Sequence, residues 1–130
     1  MVVDGNNVVG ARPDGWWRDR AGAARRLLGR LQAYARGRPG PVVLVLDVPQ
    51  ADLPAGDHGG VTVLYPGRRG PNAADDRIVE LLDERAAGPS DPAGVEVITS
   101  DRALSARAAE RGAHVTGARS FLARLDVSEA

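Results

Sequence analysis

The five residues Val42–Leu46 are all apolar, with no polar residue alternating among them. A strand that is greasy on both sides has to be covered on both sides, which is the situation of a central strand in a parallel sheet. Similar short runs occur at Met1–Asp4, Val61–Tyr65 and Val95–Thr99, with a weaker one at Ala113–Thr116. Between them lie stretches of helical spacing. Leu27, Leu28, Leu31 and Tyr34, extended by Ala23 and Ala24, form one stripe of a helix over Arg18–Arg36, with Arg18, Arg25, Arg26 and Arg30 mostly off it. Gly37–Pro41 stops that helix. A second begins near Asn72–Asp75 and carries Ile78, Val79, Leu81 and Leu82. A third begins at Asp101, turns Leu104 and Ala108 inward and closes at Gly112; Ser120–Leu125 forms a short closing helix. Arg12–Trp17, Pro66–Asn72 and Gly88–Gly94 read as loops. The order β-α-β-β-α-β-α-β-α predicts one α/β domain over 1–130, a three-layer α/β/α sandwich around a mainly parallel five-stranded sheet.

That architecture decides where the acids go. Asp4 ends the first strand, where Asp4-Gly5 predicts a turn, and Asp47 ends the second. Asp75 and Asp76 open the helix after the third, and Asp101 opens the helix after the fourth. Right-handed crossovers put all the strand carboxyl ends along one edge, where open α/β sheets bind their ligands. Each acid also has a structural use: Asp75 and Asp101 suit helix N-caps, and Asp4 suits an Asx turn. As a group they ask for more, because one cap needs one carboxylate and clustered carboxylates repel unless a cation neutralises them. A hard divalent ion, Mg²⁺ or Mn²⁺, takes such oxygen ligands and binds phosphate oxygens. Phosphodiester hydrolysis is the chemistry that fits.

Composition removes other classes. With no cysteine there is no disulfide, zinc–thiolate site or thiol nucleophile. All 17 basic residues are arginine, so phosphate-binding loops and Schiff-base chemistry that need lysine are absent. Residues 1–40 hold eight arginines against three acids, and the rest nine against fourteen. A basic front facing an acidic remainder suits a phosphate chain held against an acidic pocket; a solvated arginine face on one helix explains the same numbers. Asp4 interrupts the apolar start and no run approaches a membrane span of about 20 residues, so a cytoplasmic protein without a leader or membrane contact is expected.

The same residues resemble a known family. Val3-Asp4-Gly5-Asn6-Asn7-Val8-Val9-Gly10 looks like the D-G-x-N-hydrophobic signature of NYN domains, in the PIN-like nuclease group. Ala74-Asp75-Asp76-Arg77-Ile78 and Thr99-Ser100-Asp101-Arg102 resemble that family's A-D-D and T-S-D-R segments, and Gly112-Ala113 with Ser120-Phe121-Leu122 its closing element. The match is to the bacterial YacP-like subgroup, in order and spacing, across nearly the whole chain. The resemblance implies a PIN-like fold and RNA cleavage or binding with a divalent metal. Asp4, Asp76 and Asp101 would be the ligands, with Asp75 and Asn7 beside them. One departure stands out: Ser105 occupies a position where active eukaryotic relatives place a further acid.

The expected function is a Mg²⁺- or Mn²⁺-dependent endoribonuclease, with a non-catalytic RNA-binding module as the alternative. Asp4, Asp75, Asp76 and Asp101 form the catalytic set. Asn7 and Arg102 orient the phosphate, and Trp16 and Trp17, flanked by Arg12 and Arg18, stack a base and hold phosphates. One Trp packed under the long helix is the structural counterpart of that reading. A homodimer through exposed helices, or a protein partner covering the acidic pocket, is compatible with it.

Overall fold

The computed structural model describes residues 1–12, 14–87 and 94–130. Its elements are β1 (Val2–Asp4), α1 (Gly5–Val9), a 3-10 turn (Trp16–Arg18), α2 (Arg20–Arg36), β2 (Val42–Val45), β3 (Gly56–His58), β4 (Val61–Leu64), α3 (Ala73–Ala87), β5 (Glu96–Ile98), α4 (Arg102–Glu110), β6 (His114–Thr116) and α5 (Ala118–Glu129). The strands lie in the order β3-β4-β2-β1-β5-β6, parallel throughout except for β3, which runs antiparallel to β4. This is the α/β sandwich expected, with three local corrections. The sheet has six strands, not five. Gly56–His58 has no apolar pattern because it is an edge strand, held by backbone pairing with β4 rather than by burial. Asp4-Gly5 opens the short helix α1 instead of a turn. The closing helix is also longer than expected, because Asp126 and Glu129 in its last turns pair with Arg30 of α2 at 2.7 and 2.8 Å. Of the expected loop Gly88–Gly94, residues 88–93 lie outside the described residues, as does Pro13 of the loop Arg12–Trp17. No helix among the described residues is long and apolar enough to cross a membrane.

Two cores sandwich the sheet. Val3, Leu44, Val63 and Ile98 pack against Leu27, Leu28 and Leu31 of α2 and Phe121, Leu122 and Leu125 of α5. Val2, Val45 and Val97 pack against Ile78, Val79 and Leu82 of α3 and Leu104 and Ala108 of α4. Successive strand side chains point to opposite faces. Val2 and Asp4 therefore share the α3/α4 face, while Val3 looks toward α2 and α5. Asp19 starts α2 by accepting the Gly22 N–H at 2.9 Å.

The chain moves from β1 to β2 and β4 on one side, then crosses to β5 and β6 on the other. The reversal falls between β1 and β5, and at such a switch point the strand ends open a crevice. Gly5 lets α1 sit tight beside it. A Cβ there would come 2.7 Å from Leu46 Cδ2 and 2.9 Å from the Val45 carbonyl oxygen. Gly5→Ala should therefore cost about 1–3 kcal/mol by overpacking, read as a lowered midpoint in urea; an unchanged midpoint would show that α1 is not seated against β2.

Candidate functional site

At the switch point Asp4 is 4% exposed, one of two buried polar or charged residues among those described; the other is Thr99. Thr99 Oγ1 donates to Asp4 Oδ2 at 2.9 Å and accepts the Asp101 N–H at 3.1 Å. One hydroxyl thus joins the end of β1 to the start of α4. Burial pushes the Asp4 carboxyl up to about 6, and the charges of Asp75 and Asp101 push the same way. The Thr99 hydrogen bond and the Asn7 N–H oppose that rise without cancelling it.

Asp101 is the N-cap of α4, with Oδ1 accepting the Leu104 N–H at 2.9 Å. Asp75 lies in the first turn of α3. Its carboxyl is raised first by burial and then by Asp101, against Arg107, which lowers it. Three carboxylates thus crowd one another at the edge. Asp76 is different. Consecutive residues of a helix point about 100° apart, and Asp76 turns away to pair with Arg107 at 2.8 Å and with Arg68. Those two guanidinium groups hold its carboxyl below the usual range.

The ligand set expected from the resemblance was Asp4, Asp76 and Asp101. Of that set, Asp101 acts on Asp4 electrostatically, as does neighbouring Asp75, while Asp76 is paired with Arg107 and Arg68. Among the described residues, no three acids or histidines stand close enough in this arrangement to hold one ion. The donor chemistry nonetheless suits a hard ion: all oxygen, with an excess of negative charge that arginine leaves uncompensated at Asp4.

The other expected residues divide. Asn7 Oδ1 accepts the Ser100 N–H at 2.7 Å, tying α1 to the end of β5. Asn6 Oδ1 does the same for the Asp47 N–H at 2.9 Å, on the β2 side. Ser105 Oγ donates to the Asp101 carbonyl at 2.7 Å, closing onto its own helix turn. Arg102 is exposed at the start of α4. Arg12 is drawn away from the edge to Asp126 of α5, 2.7 Å distant. Trp16 and Trp17 meet edge to face at 6.2 Å. Trp17 is 54% exposed under Arg18, whose guanidinium lies 5.9 Å from its ring centre. Trp16 is half-buried, with Arg20 at 5.2 Å. Sequence reasoning assigned no role to Thr99, Arg68 or Arg107. Thr99 stood inside the T-S-D-R segment; nothing local marked the two arginines, which reach Asp76 from a loop and from the next helix.

The YacP-like NYN domain model matches residues 1–130. Among solved structures, Rae1 (YacP) from Bacillus subtilis is 25% identical, with a TM-score of 0.75 over 98% of this chain and 74% of that one. A single-substitution mutant of the same protein gives 25% identity and 0.72 over 98% and 75%. No curated protein matches the sequence. With the family model spanning every residue and the fold shared over 98% of the chain, the chain belongs to the YacP-like NYN domain family, in the PIN-like nuclease group.

Proposed function

We propose that this domain is a divalent-metal-dependent ribonuclease, most simply an endoribonuclease, that cuts RNA phosphodiester bonds at the β1/β5 switch point. The observation that carries the reading is a buried Asp4 carboxylate crowded by Asp75 and Asp101, with no arginine paired to it. Such a site is favoured by a proton or by a cation. Mg²⁺ or Mn²⁺ would be held by Asp4, Asp75 and Asp101. When bound, the ion supplies activation of water and charge stabilisation at phosphorus. Thr99 fixes the Asp4 carboxylate, Asn7 fixes the Ser100 backbone beside Asp101, and exposed Arg102 meets the phosphate. Asp76, with Arg68 and Arg107, forms the rim. An RNA-binding module without turnover is the second reading. Its support is Ser105, which binds its own helix turn where a further acid would face the site.

The assay is cleavage of a fluorescent single-stranded RNA as Mn²⁺ is added. Asp75→Asn and Asp101→Asn should each lose activity beyond the roughly 10- to 100-fold that loss of an outer-shell partner costs a metal site. Asp76→Asn should lose far less. Asn remains a good cap, so Asp101→Asn should cost no more than about 1 kcal/mol of stability. Mn²⁺ binding without cleavage would favour the second reading. Unfolding of both Asp75→Asn and Asp101→Asn would make the acids structural and end the metal-site reading.

The raised carboxyl sets a pH dependence. Folded Asp4 titrates near 6 against an ordinary 3.8. The folded state therefore binds the proton more tightly, and this contribution is full below pH 4 and lost as pH rises through 6. The loss is complete by neutral pH and amounts to about 3 kcal/mol. In metal-free buffer, the stability difference between Asp4→Asn and the parent chain should grow in favour of the variant from pH 4 to 7, and Mn²⁺ should close the gap by stabilising only the parent. A pH-independent difference would mean that Asp4 ionises as freely as an exposed acid.

A further inference from the structure

A cavity of about 320 Å³ lies between α1, the end of β5 and the start of α5, with Asn7, Ser100, Arg119 and Ser120 among its walls. It adjoins the acidic edge. Asn7 supplies the N–H that Asp4 accepts, and Ser100 directly precedes Asp101. Two hydrogen bonds fix its shape. Asn7 Oδ1 accepts the Ser100 N–H at 2.7 Å, and Ser100 Oγ accepts the Ala118 N–H at 2.8 Å. A water's share of liquid is about 30 Å³, so the space admits a group of several heavy atoms.

Charge sets this cavity apart from the carboxylates beside it. Its lining carries one cation, Arg119, and no acid. Arg119 is exposed and enters no ion pair among the described residues, whereas Arg124 on the same helix pairs with Glu96 at 2.8 Å. Its position is also an unfavourable one for a cation. Arg119 is the second residue of α5, where the positive end of the helix dipole favours an acid, and that turn contains none. A guanidinium kept there gains nothing from its helix or from a neighbour, which points to an anion arriving from outside. Asn7 adds a donor: with Oδ1 taken, its amide N–H groups make no hydrogen bond among the described residues. The Ser120 hydroxyl adds another on the same wall. A planar guanidinium fork with amide and hydroxyl donors matches a phosphate, which offers only acceptors and negative charge.

We propose that this cavity holds the phosphate of the RNA strand next to the one cut, with Arg119 as the side chain that grips it. The inference rests on the nuclease reading of the edge and deepens it. It gives the strand a line of passage, from Asp4 across Asn7 and Ser100 to the start of α5.

The test is fluorescence-anisotropy binding of a labelled uridine hexamer to the full chain across a salt series, without divalent metal so that none is cut. Arg119→Gln should weaken binding about three- to tenfold at low salt, the scale of one lost hydrogen-bonding partner. It should also make the slope of log K against log salt shallower by about 0.7, the value of one phosphate contact on a single strand. Arg119→Lys should keep the slope while losing part of the affinity, since it keeps the charge but not the fork. Ser120→Asp should weaken binding as well, by placing an acid on the cavity wall, while the melting temperature holds or rises because an acid suits the first turn of α5. Arg36→Gln, at the far end of α2, should change neither affinity nor slope. An unchanged slope in Arg119→Gln, full affinity in Ser120→Asp, or an equal loss in Arg36→Gln would overturn the subsite and leave the nuclease reading to its own cleavage assay. No binding of the hexamer by the parent chain would overturn both.

Discussion

The arrangement hangs on a single buried hydroxyl. Thr99 donates to Asp4 and accepts from the Asp101 backbone, so the end of the central strand and the start of α4 are fixed to each other across the switch point. A carboxylate buried to this degree is costly without partners. The Thr99 hydroxyl and the Asn7 N–H supply enough to keep it in place, but not enough to return its titration to the ordinary range. The remaining strain is electrostatic and directed: it is relieved by a proton or by a cation, and by little else within reach.

The adjacent pair Asp75 and Asp76 shows how a helix sorts two identical side chains. The first turn of α3 aims Asp75 at the edge, where it meets Asp101. Asp76 is carried round to Arg107 and to the Arg68 loop. One acid is left to repel its neighbours and the other is neutralised. Arg107 touches both stories, pairing with Asp76 while its charge also reaches Asp75. The positive rim thus stands beside the negative pocket, the juxtaposition that a phosphodiester backbone asks of a protein surface. The basic front of the chain is dispersed by contrast: Arg12 and Arg30 are spent on Asp126 and Glu129, and Arg25 pairs with Asp52 at 2.9 Å. Part of the charge imbalance between the two parts of the sequence is thus taken up in pairs that bind the front of the chain to α5 and to Asp52.

The two asparagines after Asp4 divide the edge into two sides. Asn7 reaches the β5 side and the acidic pocket; Asn6 reaches the β2 side and Asp47. Both act through backbone N–H groups that a strand end leaves unpaired, and this explains an Asn-Asn pair better than a turn does. Asp47, which sequence position placed at the same edge as the other acids, follows Asn6 to the far side and takes no part in the acidic group. Strand ends share an edge, but side chains alternate between faces, so a common edge does not guarantee a common pocket.

Much was legible without coordinates. The unbroken apolar runs required a sheet covered on both faces, the alternation with helices required it to be mainly parallel, and right-handed crossovers then put Asp4, Asp47, the Asp75–Asp76 pair and Asp101 on one edge. These are consequences of local pattern and chirality, which the sequence carries residue by residue. The edge strand Gly56–His58 was not legible, because a strand that buries neither face leaves no hydrophobic signature. Nor was the choice between Asp75 and Asp76, which depends on guanidinium groups from a loop and another helix. The sequence alone determined which chemistry could gather at the edge; the tertiary structure decided which side chains face one another there, since burial and charge pairing are properties of neighbours that lie far apart along the chain.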